Sequence, residues 1–328
     1  MATLDIFKND AFHLTALTAA IQNVPFQPGR LGALGWFGAG EGINSTSVII
    51  ESYDNVLSVV PVSQRGAPAK QSQHGSRKVR SFTVPHLKSE DAILADEVLG
   101  LRAFGSESEL ETIAAVVGQR LAVLRRNLEY TKETHRMLAV KGYTVDMAGA
   151  QISLFTEFGV SQDTIDFALD VDTTNIRMKI LDLLSSIEDD LGGLSFSGVR
   201  VLCGKTFWSN LIEHKMVKDT YLGTVAAASL RGDPRMEFEF GGVTFERYRG
   251  TSDVNIADTE AYAVPEGVVD LFISRNAPAD YIETVGTLGQ SMYAKQWEME
   301  AGRGIKMEAQ ANPLHLCTRP HAIKKLTV

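Results

Sequence analysis

The sequence predicts an α+β protein organised around one oversized helix. Three observations carry that expectation. Residues 106–141 hold apolar side chains at steps of three and four. Runs rich in β-branched residues occupy 46–84 and most of the chain after 237. Helices and strands do not alternate regularly, which is the pattern of α+β rather than α/β chains.

The helix is predicted from Ser106 to Lys141. Ser106 and Glu109 stand in the spacing of a capping box. Leu110, Ile113, Val117, Leu121, Leu124, Leu128 and, after a gap, Leu138 form a narrow stripe. Lys141 and Gly142 close it, one suited to the negative end of the dipole and the other to a left-handed cap. At ~1.5 Å per residue it would be roughly 54 Å long. That is about three times a mean globular helix, so it projects from a compact domain. The stripe lasts about three heptads before Thr131 and His135 interrupt it, too short for a coiled-coil seam.

Composition narrows the function classes. The chain has 328 residues, 44% hydrophobic and 22% charged, enough for about two folded domains. Its net charge of −8 disfavours a nucleic-acid coat, because the average field repels phosphate. Two cysteines, Cys203 and Cys317, do not make a disulfide framework and suit a reducing compartment. The N-terminus lacks the pattern of a secretion signal, and no apolar run reaches the ~20 residues of a membrane span. The expectation is synthesis in the cytosol, with no membrane partner.

In order, Ala11–Asn23 reads as a short helix with Leu14, Leu17 and Ile21 on one face, broken by Pro25 and Pro28. Six glycines from Gly29 to Gly42 then interleave with Leu31, Leu34, Trp36 and Phe37. Glycine at that density argues against helix, and the large apolar residues argue against a free linker. The segment therefore reads as an extended arm docking on something else. From Thr46, Val48–Ile50, Val56–Val62 and the returning Val79, Phe82 and Val84 read as a long hairpin. Its tip is polar and basic, with Arg65, Lys70, His74, Arg77 and Lys78. Tips this long are usually functional or disordered. It lacks aromatics for base stacking, so a protein partner is preferred over nucleic acid or plain solvation.

After the long helix, Ile152–Phe158 and Thr164–Leu169 read as strands and Thr173–Leu191 as an amphipathic helix. Val199–Cys203 is a buried strand, followed by a helix from Lys205 to about Lys218. Strands then follow at Glu237–Phe240, Val243–Tyr248, Ala261–Val264, Leu271–Ser274, Met292–Glu300, Ile305–Asn312, Leu314–Cys317 and Ala322–Leu326.

Sites of chemistry are weak. Gly204-Lys205-Thr206 sits where a P-loop would, but Val199 holds the position that needs glycine, so a plain strand-to-helix turn is preferred. His315, Cys317 and His321 cluster without a fourth ligand of suitable spacing, so a half-buried strand is preferred to a metal site. Arg231-Gly232-Asp233 precedes Pro234 and reads as a tight turn rather than a receptor motif. Glu188-Asp189-Asp190 reads as a solvated helix end. No catalytic, cofactor-binding or metal residues are assigned, and no cofactor is expected.

Several collinear motifs carry a family resemblance. Phe238-Glu-Phe-Gly-Gly-Val-Thr-Phe-Glu-Arg-Tyr248 is followed by Ala261-Tyr-Ala-Val-Pro-Glu-Gly267, Ala277-Pro-Ala-Asp280, Tyr293-Ala-Lys295 and Asn312-Pro-Leu314. Upstream, Leu14-Thr15-Ala16 to Pro28, Thr46 to Glu51 and Arg65-Gly-Ala-Pro68 follow in order. This set resembles the lambda-like tailed-phage major capsid protein E family over nearly the whole chain.

The resemblance implies the Hong Kong 97-type capsid fold. It implies an N-terminal arm at 1–45 and an extended hairpin loop at 46–90. A peripheral domain takes 91–189 and 286–312 with the spine helix 106–141, and an axial domain takes 190–285 and 313–328. It implies assembly as hexamers and pentamers into an icosahedral or elongated head around double-stranded DNA, through a scaffolded precursor that expands. Scaffolding protein, portal and the chain itself are then the partners. Because the capsid parts begin near Met1, the scaffold and protease are expected from separate genes. The prototype cross-links through lysine and asparagine, a role Lys70 or Lys78 could be imagined to take. Lambda-like relatives use a decoration protein instead, which joins the expected partners. The virion capsid is the expected location, after assembly in the host cytoplasm. Leu31, Leu34, Trp36 and Phe37 are candidate intersubunit contacts from the arm, and Arg65, Lys70, Arg77 and Lys78 from the loop. Gly118, off the apolar stripe, is a candidate soft point where the spine helix bends. Rival classes are a tail or connector component, a soluble enzyme and a nucleic-acid-binding protein.

Overall fold

The computed structural model describes residues 12–24, 29–53, 77–94, 97, 109–222, 237–251 and 253–328. The first half contains helices α1 (Leu14–Asn23) and α2 (Arg30–Leu34), strands β1 (Glu41–Gly42), β2 (Ser47–Tyr53), β3 (Arg77–Thr83) and β4 (Leu87–Leu94), and the long helix α3 (Glu109–Val140). Next come β5 (Tyr143–Val145), β6 (Gln151–Ser153), α4 (Leu154–Phe158), β7 (Thr164–Asp166), α5 (Ile176–Leu191), β8 (Gly198–Cys203), α6 (Lys205–Glu213) and α7 (Lys215–Leu222). The rest is mostly strand: β9 (Phe238–Phe240), β10 (Val243–Arg247), β11 (Glu260–Glu266), β12 (Phe272–Asn276), β13 (Tyr293–Glu298), β14 (Gly304–Ala311), β15 (Pro313–Cys317) and β16 (Lys324–Thr327).

A six-stranded mixed sheet, ordered β7-β16-β11-β8-β10-β9, divides two hydrophobic cores. Strand side chains alternate between faces, and the cores split along that alternation. Val199, Val201, Cys203, Ala261 and Ala263 face one core, built with Ile176, Ile180, Leu183 and Ile187 of α5 and Phe207 of α6. Leu202, Tyr262 and Val264 face the other, which holds the arm and the small sheet β1-β12-β15. A third core lies where α1 and α3 cover the sheet β13-β14-β4. There Ile305, Met307, Ala309 and Ala311 turn inward.

Four expectations are corrected. Residues 154–158 are helix, not strand, because the Ser153 hydroxyl accepts the Thr156 N–H and Gly159 closes the turn in the left-handed region. The helix from Lys205 breaks at His214, whose buried ring accepts the Met216 N–H and meets the Val171 carbonyl. The glycine-rich arm forms a helix, α2, where an extended segment is expected. Arg77 and Lys78 lie on β3, opposite Tyr53 and Ser52, rather than in the hairpin tip.

The long helix shows why α2 forms. Val117, Leu121, Leu124 and Leu128 are buried as the stripe predicts, while Ser106 lies outside the described residues. Beyond Leu128 the buried face turns polar at Lys132 and Glu133, and ends on Met137, Ala139 and Val140 instead of the half-buried Leu138. The Glu133 carboxylate accepts the Leu31 N–H at 2.6 Å and the Gly32 N–H at 3.2 Å. It thereby caps a helix whose own N-cap, Gly29, has no side chain to do so. A Cβ on Gly29 would stand 2.4 Å from the Glu133 carboxyl carbon. Lys132 donates to the Ser291 carbonyl at 2.9 Å, and burial pushes its pKa down to about 8. The helix lies against β15, where buried His315 stands edge-on to Phe37 at a 5.3 Å ring separation.

Two predictions follow from this packing. Glu133→Ala should cost about 1–3 kcal/mol in urea unfolding, since it strands buried N–H donors. Gly29→Ala should cost a similar amount, and the double variant clearly less than the sum, because both remove one contact. Burial also lowers the pKa of His135 from 6.5 to about 4 and that of His315 well below 6.5, the latter helped by Arg136, His135 and Lys132. Both rings stay neutral in the fold and take up protons on unfolding. Stability is therefore full above pH 6.5 and declines as pH falls toward 4, by on the order of 3 kcal/mol for His135. His135→Gln should flatten that part of the urea-midpoint profile; an unchanged slope assigns the decline to His315 or to carboxylates instead.

Candidate assembly surfaces

The arm docks within its own subunit. Leu31 is 0% and Phe37 5% exposed, so in this conformation both pack into the subunit's own core. Leu34 and Trp36 are half-buried at the edge of the same core. Trp36 stacks on Phe272 at 5.8 Å and donates its indole N–H to Glu266.

A charge network holds the arm to the six-stranded sheet. Arg30 at the start of α2 donates to Glu246 on β10 at 2.7 Å and to Glu237 at 3.2 Å. Arg200 on β8 joins the same carboxylates and reaches Glu266 on β11 at 2.8 Å. Burial disfavours the Arg200 charge, yet Glu266 and Glu237 outweigh it and raise its pKa. The side-chain bond to Glu246 likewise raises that of Arg30. Sequence reasoning missed Arg30, although a signal existed: it is the one Lys, Arg, Asp or Glu between Asp10 and Glu41. Glu133 was missed because nothing in the pattern of α3 separates a buried carboxylate from a solvated one.

The hairpin β2-β3 presents a different face. Val48 and Phe82 pair across the strands and are buried, while Ile49 and Val79 point outward at 62% and 55% exposure. Arg80 packs over the Phe158 ring at 5.2 Å and donates to the Glu157 carbonyl, which ties the hairpin base to α4. Arg65 and Lys70 lie outside the described residues, as do Val56–Val62. Of Arg77 and Lys78 the structure places the backbone. Gly118 lies on α3, and a Cβ there would meet nothing within 4 Å.

The remaining candidates are structural. A Cβ on Gly204 would meet the Ala257 carbonyl oxygen at 2.1 Å, and the Gly204 and Phe207 N–H groups already donate to Glu260 and Asp258 carbonyls. That turn offers oxygens, where phosphate needs donors. His315 and Cys317 are buried on β15, and His321 contacts the Asp190 carbonyl. No metal-binding cluster occurs among the described residues. The acidic end of α5 is not simply solvated: Asp190 and Asp163, the latter at 2.6 Å, pair with fully buried Lys324. Arg231-Gly232-Asp233 lies outside the described residues. No described helix is long and apolar enough to cross a membrane.

Comparison with known proteins bears out the resemblance. The family described as phage major capsid protein E matches residues 13–328. The chain is 28% identical to the major capsid protein of Salmonella phage Felix O1, across 95% of both chains. It is 29% identical to that of Pseudomonas phage KPP10, across 96% of both. Among solved structures it is similar to a protein assigned as a prophage capsid protein in E. coli CFT073, with a TM-score of 0.61 at 14% identity over 97% of this chain and 99% of that one. It is also similar to the capsid of Myoviridae phage XM1, with a TM-score of 0.50 at 14% identity over 92% and 93%. With the α+β architecture above, these matches give the Hong Kong 97-type fold and the function of a phage capsid subunit. The chain belongs to the phage major capsid protein E family.

Proposed function

We propose that this chain builds the head shell of a tailed phage as hexamers and pentamers enclosing double-stranded DNA. The observation that carries the reading is the family match across 13–328. Its role is assembly rather than catalysis. The shell forms in the host cytoplasm around a scaffolding protein, incorporates a portal and expands. DNA is enclosed without sequence recognition, consistent with a net charge of −8.

In this reading the axial domain near the local symmetry axis is 190–285 with 313–328, which supplies every strand of the six-stranded sheet except β7. Helix α3 with β4, β13 and β14 is the peripheral domain, and β2-β3 is the base of the extended loop. Contacts within a ring are heterologous and close by rotation. Each is modest, and their number per subunit supplies the stability. The outward side chains Ile49 and Val79, exposed on a two-stranded ribbon, support the hairpin as a surface that a neighbour covers. Arg65, Lys70, Arg77 and Lys78 supply charge contacts from the same loop, and Leu34 and Trp36 keep a peripheral role at the arm's edge.

Electron microscopy of the protein alone and co-expressed with its scaffold tests the reading. Shells, tubes or ring-shaped capsomers are expected; a monomer under every condition would refute it. Arg77→Glu with Lys78→Glu should leave the melting temperature of the free subunit unchanged and reduce shell yield at least about tenfold, since a small loss is multiplied over many contacts. Gly118→Ala should stabilise α3 by roughly 1 kcal/mol and raise the temperature at which precursor shells expand. Expansion at the wild-type temperature would remove Gly118 as the bending point.

A further inference from the structure

The sheet β13-β14-β4 has two edges, and they are protected in different ways. A free edge presents a row of N–H and C=O groups that can template an added strand, and charged side chains are one protection against it. Strand β4 carries Lys88, Glu90 and Asp91. At the other edge Met292, Tyr293 and Ala294 bear no charge, and each is 2% exposed or less. Helix α1 packs along this uncharged stretch.

Two side chains of α1 occupy the positions where a strand would pair. The buried Thr18 hydroxyl accepts the Ala294 N–H at 3.2 Å and donates to the Ala294 carbonyl at 3.5 Å. The Gln22 amide donates to the Met292 carbonyl at 3.1 Å. Alternate residues of an antiparallel strand turn their backbone groups to the same neighbour, so Met292 and Ala294 both present theirs at the edge. The two periods match. From Thr18 to Gln22 a helix advances about 6 Å, and two strand residues span roughly 6.7 Å. Helix α1 thus lies where a further strand would, and runs opposite to β13.

Away from this edge α1 has little to keep it helical. It has ten residues, no side-chain N-cap bond, no acid in its first turn and no base in its last. Isolated helices this short are marginal in water. Its support comes from the body of the subunit. Leu17 and Ile21 are buried in the third core, and Arg125 of α3 donates to the Ile21 carbonyl at 2.6 Å. Helix formation and coverage of the edge are therefore coupled: an α1 that lifts also unwinds, and the start of β13 is then open.

We propose that α1 is a removable guard on β13, and that the edge it covers accepts an extended polypeptide strand once α1 lifts. The strand that fits has alternate apolar residues turned toward the third core, as β14 has with Ile305, Met307, Ala309 and Ala311. In the resting subunit Thr18 and Gln22 hold those pairing positions and keep such strands out.

The test combines amide exchange with a strand probe, a dye-labelled peptide of the sequence Gly304–Ala311, which already complements β13. Thr18→Val with Gln22→Leu removes the polar contacts and nearly keeps side-chain size. Exchange of the Ala294 amide should become at least about tenfold faster. The peptide should bind this variant and restore protection over β13. Wild-type protein should bind no peptide, and Thr18→Ser, which keeps the hydroxyl, should behave as wild type. Gln22 is exposed, so Gln22→Leu alone keeps the fold even where the double variant does not, and it should show both changes in smaller measure. Unchanged exchange at Ala294 would overturn the guard. Faster exchange with no peptide bound, or equal binding by wild-type protein, would overturn the strand-accepting edge.

Discussion

The Glu133 carboxylate, set about three-quarters along the long helix, holds the described part of the N-terminal arm to the body of the subunit. It takes the two N–H groups that open α2, in a space that only glycine at position 29 leaves free. Once α2 is seated, Leu31 and Phe37 fall into the central core and Arg30 reaches the carboxylates of the six-stranded sheet. The arm continues through β1, which adds to β12, and its Ile43 carbonyl then fixes the far end of the loop joining β12 to β13. One helix cap is thereby connected to the long helix, both faces of the central core and that loop. A buried carboxylate bonded to backbone donors is costly to remove, because the stranded donors cannot find water.

Regular packing was legible in the sequence wherever a single period dominated. The apolar side of α5 appears as read, from Ile176 to Ile187, and Leu191 extends it. Residues 198–203 could be read as a buried strand because both faces of the central sheet are covered, which removes the polar alternation. The helix α4 was misread because Ile152–Phe158 is a short apolar run, and such runs suit strand and helix equally. Its start depends on one serine hydroxyl, too local a signal to outweigh the run.

The arm was misread for another reason. Glycine density is an argument about the isolated chain, where helix is entropically unfavourable. In the folded subunit the cap comes from a residue 102 positions away in sequence. Tertiary contact overrides propensity here, and no window of local sequence could contain it. The same holds for Lys132 and Lys324, whose charges are buried because partners arrive from distant segments. The family motifs fared better because they are recognised by order along the chain and not by local conformation.

A subunit that must remain soluble before assembly and bury large surfaces afterwards faces opposing demands. This chain separates them in space. Leu31 and Phe37 of its arm are folded onto the subunit beside the Arg30 network, so neither is exposed. Among the described residues, the open apolar side chains include Ile49 and Val79 on the hairpin and Ile282, Val285 and Leu288 on the loop joining β12 to β13, which lie on separate elements. Each patch alone is too small for a stable pair, since lasting interfaces bury about 1,200–2,000 Å². Many made together in a closed lattice are sufficient. Small, rigid, separated patches therefore favour a shell over an irregular aggregate, because only the closed arrangement satisfies all of them at once.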